Sequence, residues 1–144
     1  MRDKILNLLG LMRRANAIAI GETNAGAAVR GGKAKLLLLA ADASDNARRR
    51  AEGFAAGRSV QSLGLPFRKE ELSARVGASG CSMAAVTDMG FANALMKALA
   101  ELSPEEYAAA AEETARRFEK AERRRAEASA HERNKRSGKR RTNA

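Results

Sequence analysis

Few side chains in this chain have the type and spacing that catalysis requires. Asp42 and Asp88 each follow an apolar run, the position where α/β domains often carry active-site groups. Each also precedes a helix-like stretch, where a carboxylate accepts hydrogen bonds from free backbone N–H groups. Neither has a His, a Cys or a second carboxylate at a recognisable spacing, so helix capping is the favoured reading of both. The chain has one Cys, Cys81, and one His, His131, too few for a structural zinc site of the His/Cys kind. Cys81 has no partner for activation, and a lone Cys is more often a buried, inert residue than a nucleophile. Gly31-Gly32-Lys33 invites comparison with a phosphate-binding loop. However, Gly32 stands where that motif needs Lys, and the segment follows a helix and precedes a strand, the reverse order. The expectation is a protein that is not an enzyme, with no metal, no cofactor and no small-molecule substrate.

Charge is the stronger signal. The formal net charge is +10 in 144 residues, which makes a polyanion the first partner to consider. From Lys120 to Ala144 there are ten Lys/Arg and three Glu. The excess is therefore concentrated in the tail, and the rest must be judged by its motifs. A single Cys fits a reducing compartment. Arg13 and Arg14 interrupt the apolar start, and no run reaches the length that spans a bilayer. A cytoplasmic protein with no membrane partner is expected.

The elements that would position these residues alternate in type. Residues 3–15 read as an amphipathic helix, with Arg13 and Arg14 at the end that suits the helix dipole. Ala17–Ile20 is a short strand broken by Gly21, and residues 23–30 form a short helix stopped by Gly31-Gly32. Leu36-Leu37-Leu38-Leu39, inside Ala34–Ala41, is the clearest buried strand. A helix over Asp45–Ala56 follows the turn at Asp42–Ser44. Arg58–Leu63 is a candidate strand, Lys69–Val76 a brief helix ended by Gly77, and Met83–Val86 a further strand. Asp88 would cap a helix through Leu102 with Phe91, Leu95 and Leu99 inward. Ser103-Pro104-Glu105-Glu106 is a helix start of the capping-box kind. This alternation predicts an α/β fold, a three-layer α/β/α sandwich. The residues alone support three strands and leave the fourth open. The organisation expected is one domain over 1–102, a C-terminal helix over 103–130 and a disordered basic tail over 131–144.

The segment from Gly21 to Ser44, with Leu6–Arg14 upstream and Val76-Gly77 and Ala85–Ala92 downstream, resembles the kink-turn RNA-binding ribosomal proteins of the L-seven-Ae and L-thirty-e type. The similarity covers roughly residues 3–100, and it is the order and spacing of the pieces that is specific. The resemblance implies a four-stranded mixed sheet between helices. It also implies an RNA site made of two loops: Gly21, Glu22, Thr23 and Asn24 in one, and Val76, Gly77, Ala78, Ser79 and Gly80 in the other. In the family the first loop helps recognise sheared guanine–adenine pairs in sharply bent RNA. The physics of that loop agrees. A glycine admits close backbone approach, a helix start offers free N–H groups and positive dipole, and a side-chain amide can read a base edge. Plain helix capping by Thr23 and Asn24 is the competing reading, and the two can coexist.

Two positions depart from the family pattern. Members often carry Lys where Ala27 stands, and Arg30 or Lys33 would have to replace that phosphate contact. Strong kink-turn binders carry bulky apolar residues in the second loop, where this chain has Gly77-Ala78-Ser79-Gly80. Loss of that contact would cost about 1–3 kcal/mol by analogy with base stacking. The expected function is non-catalytic binding of structured RNA, a kink-turn or related bend. The partner expected is ribosomal RNA or the ribosome, and the chain should be monomeric without RNA. The alternatives are a DNA-binding or nucleoid-associated regulator, for which no helix-turn-helix signature is present, and a protein-interaction module built on the C-terminal helix.

Overall fold

The computed structural model describes the backbone of residues 1–77 and 81–142, and the side chains of these stretches as far as residue 135. Four strands make one sheet in the order β1 (Ile18–Ile20), β4 (Met83–Val86), β2 (Leu36–Leu39), β3 (Gln61–Gly64). The β1–β4 and β4–β2 pairs are antiparallel, and β2–β3 is parallel. The sheet is thus mixed, with Leu36 opposite Val86 and Leu39 opposite Met83.

The run of four leucines explains the layers. Side chains alternate between faces of a strand. Leu36 and Leu38 therefore enter a core with helix α1 (Arg2–Arg14), helix α4 (Lys69–Val76) and helix α5 (Met89–Leu102), while Leu37 and Leu39 enter a second core under helix α2 (Glu22–Arg30) and helix α3 (Asp45–Ala55). All four leucines are buried. Each contributes about 1.5–3 kcal/mol from leaving water. This is the three-layer α/β/α sandwich that the alternation predicts.

Local chemistry fixes the helix ends. The Ser44 side chain accepts from the Ala47 N–H at 3.1 Å and starts α3. Asp88 accepts from the Phe91 N–H at 2.9 Å and starts α5. Asp42 also caps, but not the helix that follows it. Its Oδ1 accepts from the Lys69 N–H at 2.8 Å and anchors the start of α4. In α5, Leu95 and Leu99 are fully buried, whereas Phe91 is only half-buried. Strand β3 starts later than Arg58, because Gly57 takes a left-handed turn and the Arg58 N–H returns to the Ala55 carbonyl.

The last helix, α6 (Pro104–Thr142), begins where the Ser103-Pro104 signal puts it. The described backbone bonds at its start run to the Ser103 carbonyl. Its first part docks on the domain through Tyr107 and Thr114, at 3% and 0% exposure. The helix does not stop at residue 130. It continues through 131–142, the stretch expected to be disordered, where half of the residues are Arg or Lys, good helix formers, and no proline interrupts them. Among the described residues, no helix is long and apolar enough to cross a membrane.

Candidate nucleic-acid interface

The candidate acid–base groups are engaged in structure. The Asp42 carboxyl is held below its ordinary value chiefly by the Lys69 N–H that it accepts. Burial pushes the Cys81 thiol up, away from the reactive thiolate, against the smaller opposing effect of the Met83 and Gly21 backbone. Among the described residues, no group of three or more His, Cys, Asp or Glu could hold a metal ion.

The first loop is built around Gly21. Its φ of 92° and ψ of 161° fall in a region that is essentially glycine-only. A Cβ there would meet nothing within 4 Å, so backbone conformation, and not crowding, demands the glycine. The turn lets α2 start directly at Glu22 with no side-chain cap. The Ala25 N–H bonds to the Gly21 carbonyl at 2.8 Å. The N–H groups of Glu22, Thr23 and Asn24 find no acceptor among the described residues. Thr23 and Asn24 are both exposed. The Asn24 amide donates to the Ile20 carbonyl at 2.9 Å, which fixes the amide without covering the helix end. Neither residue is the helix cap, so the plain capping reading fails for both.

Glu22 pairs with Arg50 of α3 at 2.6 Å, which offsets the negative charge beside the open N–H groups. Arg50 is not singled out by the sequence, since nothing sets it apart within the run Arg48-Arg49-Arg50.

From Asn24 a groove of about 580 Å³ runs along α2 beside β1, past Ala27 and Gly31 to Lys33. Arg13 and Asn16 line its other side. The absence of a long side chain at Ala27 leaves the groove open. Lys33 is therefore brought to the site. Arg30 does not line the groove: its guanidinium turns to α3, 5.8 Å from the centre of the Phe54 ring. Arg13 joins the groove to the second loop, because its Nε donates to the Val76 carbonyl at 3.2 Å. The sequence marks Arg13 only as a favourable helix end. Asn16, with φ of 57°, turns the chain from α1 into β1, and its position just after a helix end is the signal for that role.

The second loop opens at the same end of the sheet. The Gly21 N–H donates to the Met83 carbonyl at 2.9 Å, across the β1–β4 pair. Gly77 is left-handed, with φ of 72°, and ends α4. Val76 faces inward and is 3% exposed, so its side chain belongs to the core and only its carbonyl borders the loop. Ala78, Ser79 and Gly80 lie outside the described residues.

A four-stranded mixed sheet between helices has known counterparts. Residues 3–96 match the model of the ribosomal protein L7Ae/L30e/S12e/Gadd45 family. The chain belongs to this family. The RNA-binding protein YlxQ of Bacillus subtilis is 34% identical over 96 residues, covering 64% of this chain and 91% of the relative. A Bacillus halodurans protein of unknown function has a similar structure, with a TM-score of 0.59 and 26% identity over 64% of this chain and 92% of its own. The Giardia lamblia 15.5kD RNA binding protein shares the fold, with a TM-score of 0.53 and 22% identity over 64% of this chain and 78% of its own. Helix α6 starts after the L7Ae-family match ends.

Proposed function

We propose that this member of the L7Ae family is a non-catalytic binder of structured RNA, and that it grips a kink-turn or related bend at the start of α2. One observation carries the reading. Three backbone N–H groups, at Glu22, Thr23 and Asn24, have no acceptor among the described residues, and beside them stands an exposed amide that the Ile20 carbonyl holds in place. Such a start attracts phosphate through its donors and dipole, and the amide can pair with a base edge. Gly21 sets the turn, Lys33 and Arg13 supply charge along the groove, and Gly77 opens the facing side of the site. Glu22 acts through its pair with Arg50. Arg30 is left to the outer face of α2. The naming of the Bacillus subtilis relative as RNA-binding supports the same conclusion.

We take 1–102 as the RNA-binding domain and α6 as a basic extension that adds affinity. The partner inferred is ribosomal or ribosome-associated RNA in the cytoplasm, bound by a monomer. Binding of kink-turn RNA, straight duplex RNA and duplex DNA at one moderate salt concentration tests the reading. Preference for the kink-turn, reduced by about 1–3 kcal/mol in Asn24→Ala with little change in salt slope, is expected. Equal affinity for all three, untouched by that substitution, would refute it. Crosslinking in the cell, followed by sequencing of the attached RNA, identifies the partner.

A further inference from the structure

A second groove, of about 600 Å³, lies at the opposite end of the sheet, between the domain and α6. Lys35, Arg58, Arg117, Lys120 and Arg124 line it, and none of its lining residues is acidic. Two of these cations are anchored. Arg58 donates to the Val29 and Arg30 carbonyls at 3.1 and 3.4 Å, at the end of α2. Arg117 pairs with Glu113 at 2.9 Å and donates to the Ser59 carbonyl. Lys35, Lys120 and Arg124 have no acidic partner among the described residues. Like charges are thus gathered from α6 and from the connections before β2 and β3, at a cost in mutual repulsion that a bound polyanion would relieve.

The two grooves meet at a corner. Gly31 and Lys33 line the first, and Gly32, Ala34 and Lys35 line the second. Helix α2, nine residues long, puts the start of the first groove only about 13 Å from this corner at 1.5 Å per residue. A strand leaving the start of α2 can follow the groove to Lys33 and turn round the glycine corner toward Lys120 and Arg124.

We infer that this α6-lined groove binds the phosphodiester backbone of RNA flanking the bend, so that the chain holds its RNA at both ends of α2. This rests on the function proposed above, and it assigns α6 a defined surface instead of a diffuse charge. Phosphates are the fitting ligand, because the groove offers charge and guanidinium forks but no aromatic ring for stacking.

The test uses the full chain and two RNAs, a kink-turn trimmed to its bend and the same kink-turn with each stem lengthened by one helical turn. The groove variant is Lys120→Gln with Arg124→Gln. The control is Arg125→Gln with Arg133→Gln, which removes the same charge from α6 outside the groove. The groove variant should bind the lengthened RNA about tenfold more weakly than the control does. Its salt slope should be shallower by about two, and the trimmed RNA should bind both variants alike. Equal behaviour of the two variants on the lengthened RNA would overturn the groove. In that case Asn24→Ala, by still weakening both RNAs, would leave the α2 site standing. If Asn24→Ala is harmless while the groove variant remains selective, the α2 site fails and the groove is retained.

Discussion

At the scale of single residues, the site depends on Gly21 for its backbone and on Asn24 for its amide. A β-carbon at position 21 would have room but not the right dihedral angles. Gly21→Ala should therefore lower stability by about 1–3 kcal/mol, measured by urea denaturation, and should weaken RNA binding by tilting α2. If the variant is as stable as the parent and binds as well, the φ of 92° does not matter to either property. Gly21 to Asn24 were legible as a candidate site because they stand together in the segment that carries the family resemblance. Arg13 and Arg50 were not, because each reaches the site from another element through a contact invisible in the chain order. Val76 was read as a loop residue, yet an apolar residue at the last turn of a helix turns inward when the neighbouring α1 covers it.

At the scale of elements, α6 is tied to the domain by apolar packing around Tyr107 and by two part-buried polar contacts. The Tyr107 hydroxyl donates to the Gly64 carbonyl at 2.6 Å, and Gln61 donates to the Thr114 hydroxyl at 2.8 Å. Tyr107→Phe should cost about 0.5–1.5 kcal/mol. Burial, with a smaller push from Glu106, raises the Tyr107 phenol to about 12. The protonated phenol is favoured in the folded chain, so this contribution is complete below about pH 10, the ordinary phenol value. It is lost as pH rises toward 12, because the unfolded chain then releases the proton first. The parent should therefore lose stability between pH 10 and 12 relative to Tyr107→Phe, and parallel melting curves across that range would contradict the assignment. Element types and order were legible from leucine alternation, capping residues and glycine stops. The far end of α6 was not. Its composition serves a solvated helix and a loose tail alike, and Ser137-Gly138, a pair that often ends a helix, does not end this one.

At the scale of the whole molecule, two grooves lined by basic residues meet just past the end of α2, and α6 extends one of them outward. Residues 122–129 of α6 are exposed, as suits a helix that has left the domain. Deleting residues 120–144 removes ten Lys/Arg. It should weaken binding to every nucleic acid and flatten the salt dependence, while a kink-turn remains preferred over duplex DNA. Loss of that preference would mean that α6, not α2, selects the ligand. The place of the cut matters for a separate reason. Strand β3 is the last in the sheet order, and its outer side would be bare without Tyr107 on Gly64 and Thr114 beside Gln61. Removing α6 from residue 103 onward would uncover hydrogen-bonding groups that invite a strand from another copy. A chain shortened that far should self-associate as its concentration rises, and sedimentation would register this as growing mass. One that keeps residues up to 119 should sediment as a single species.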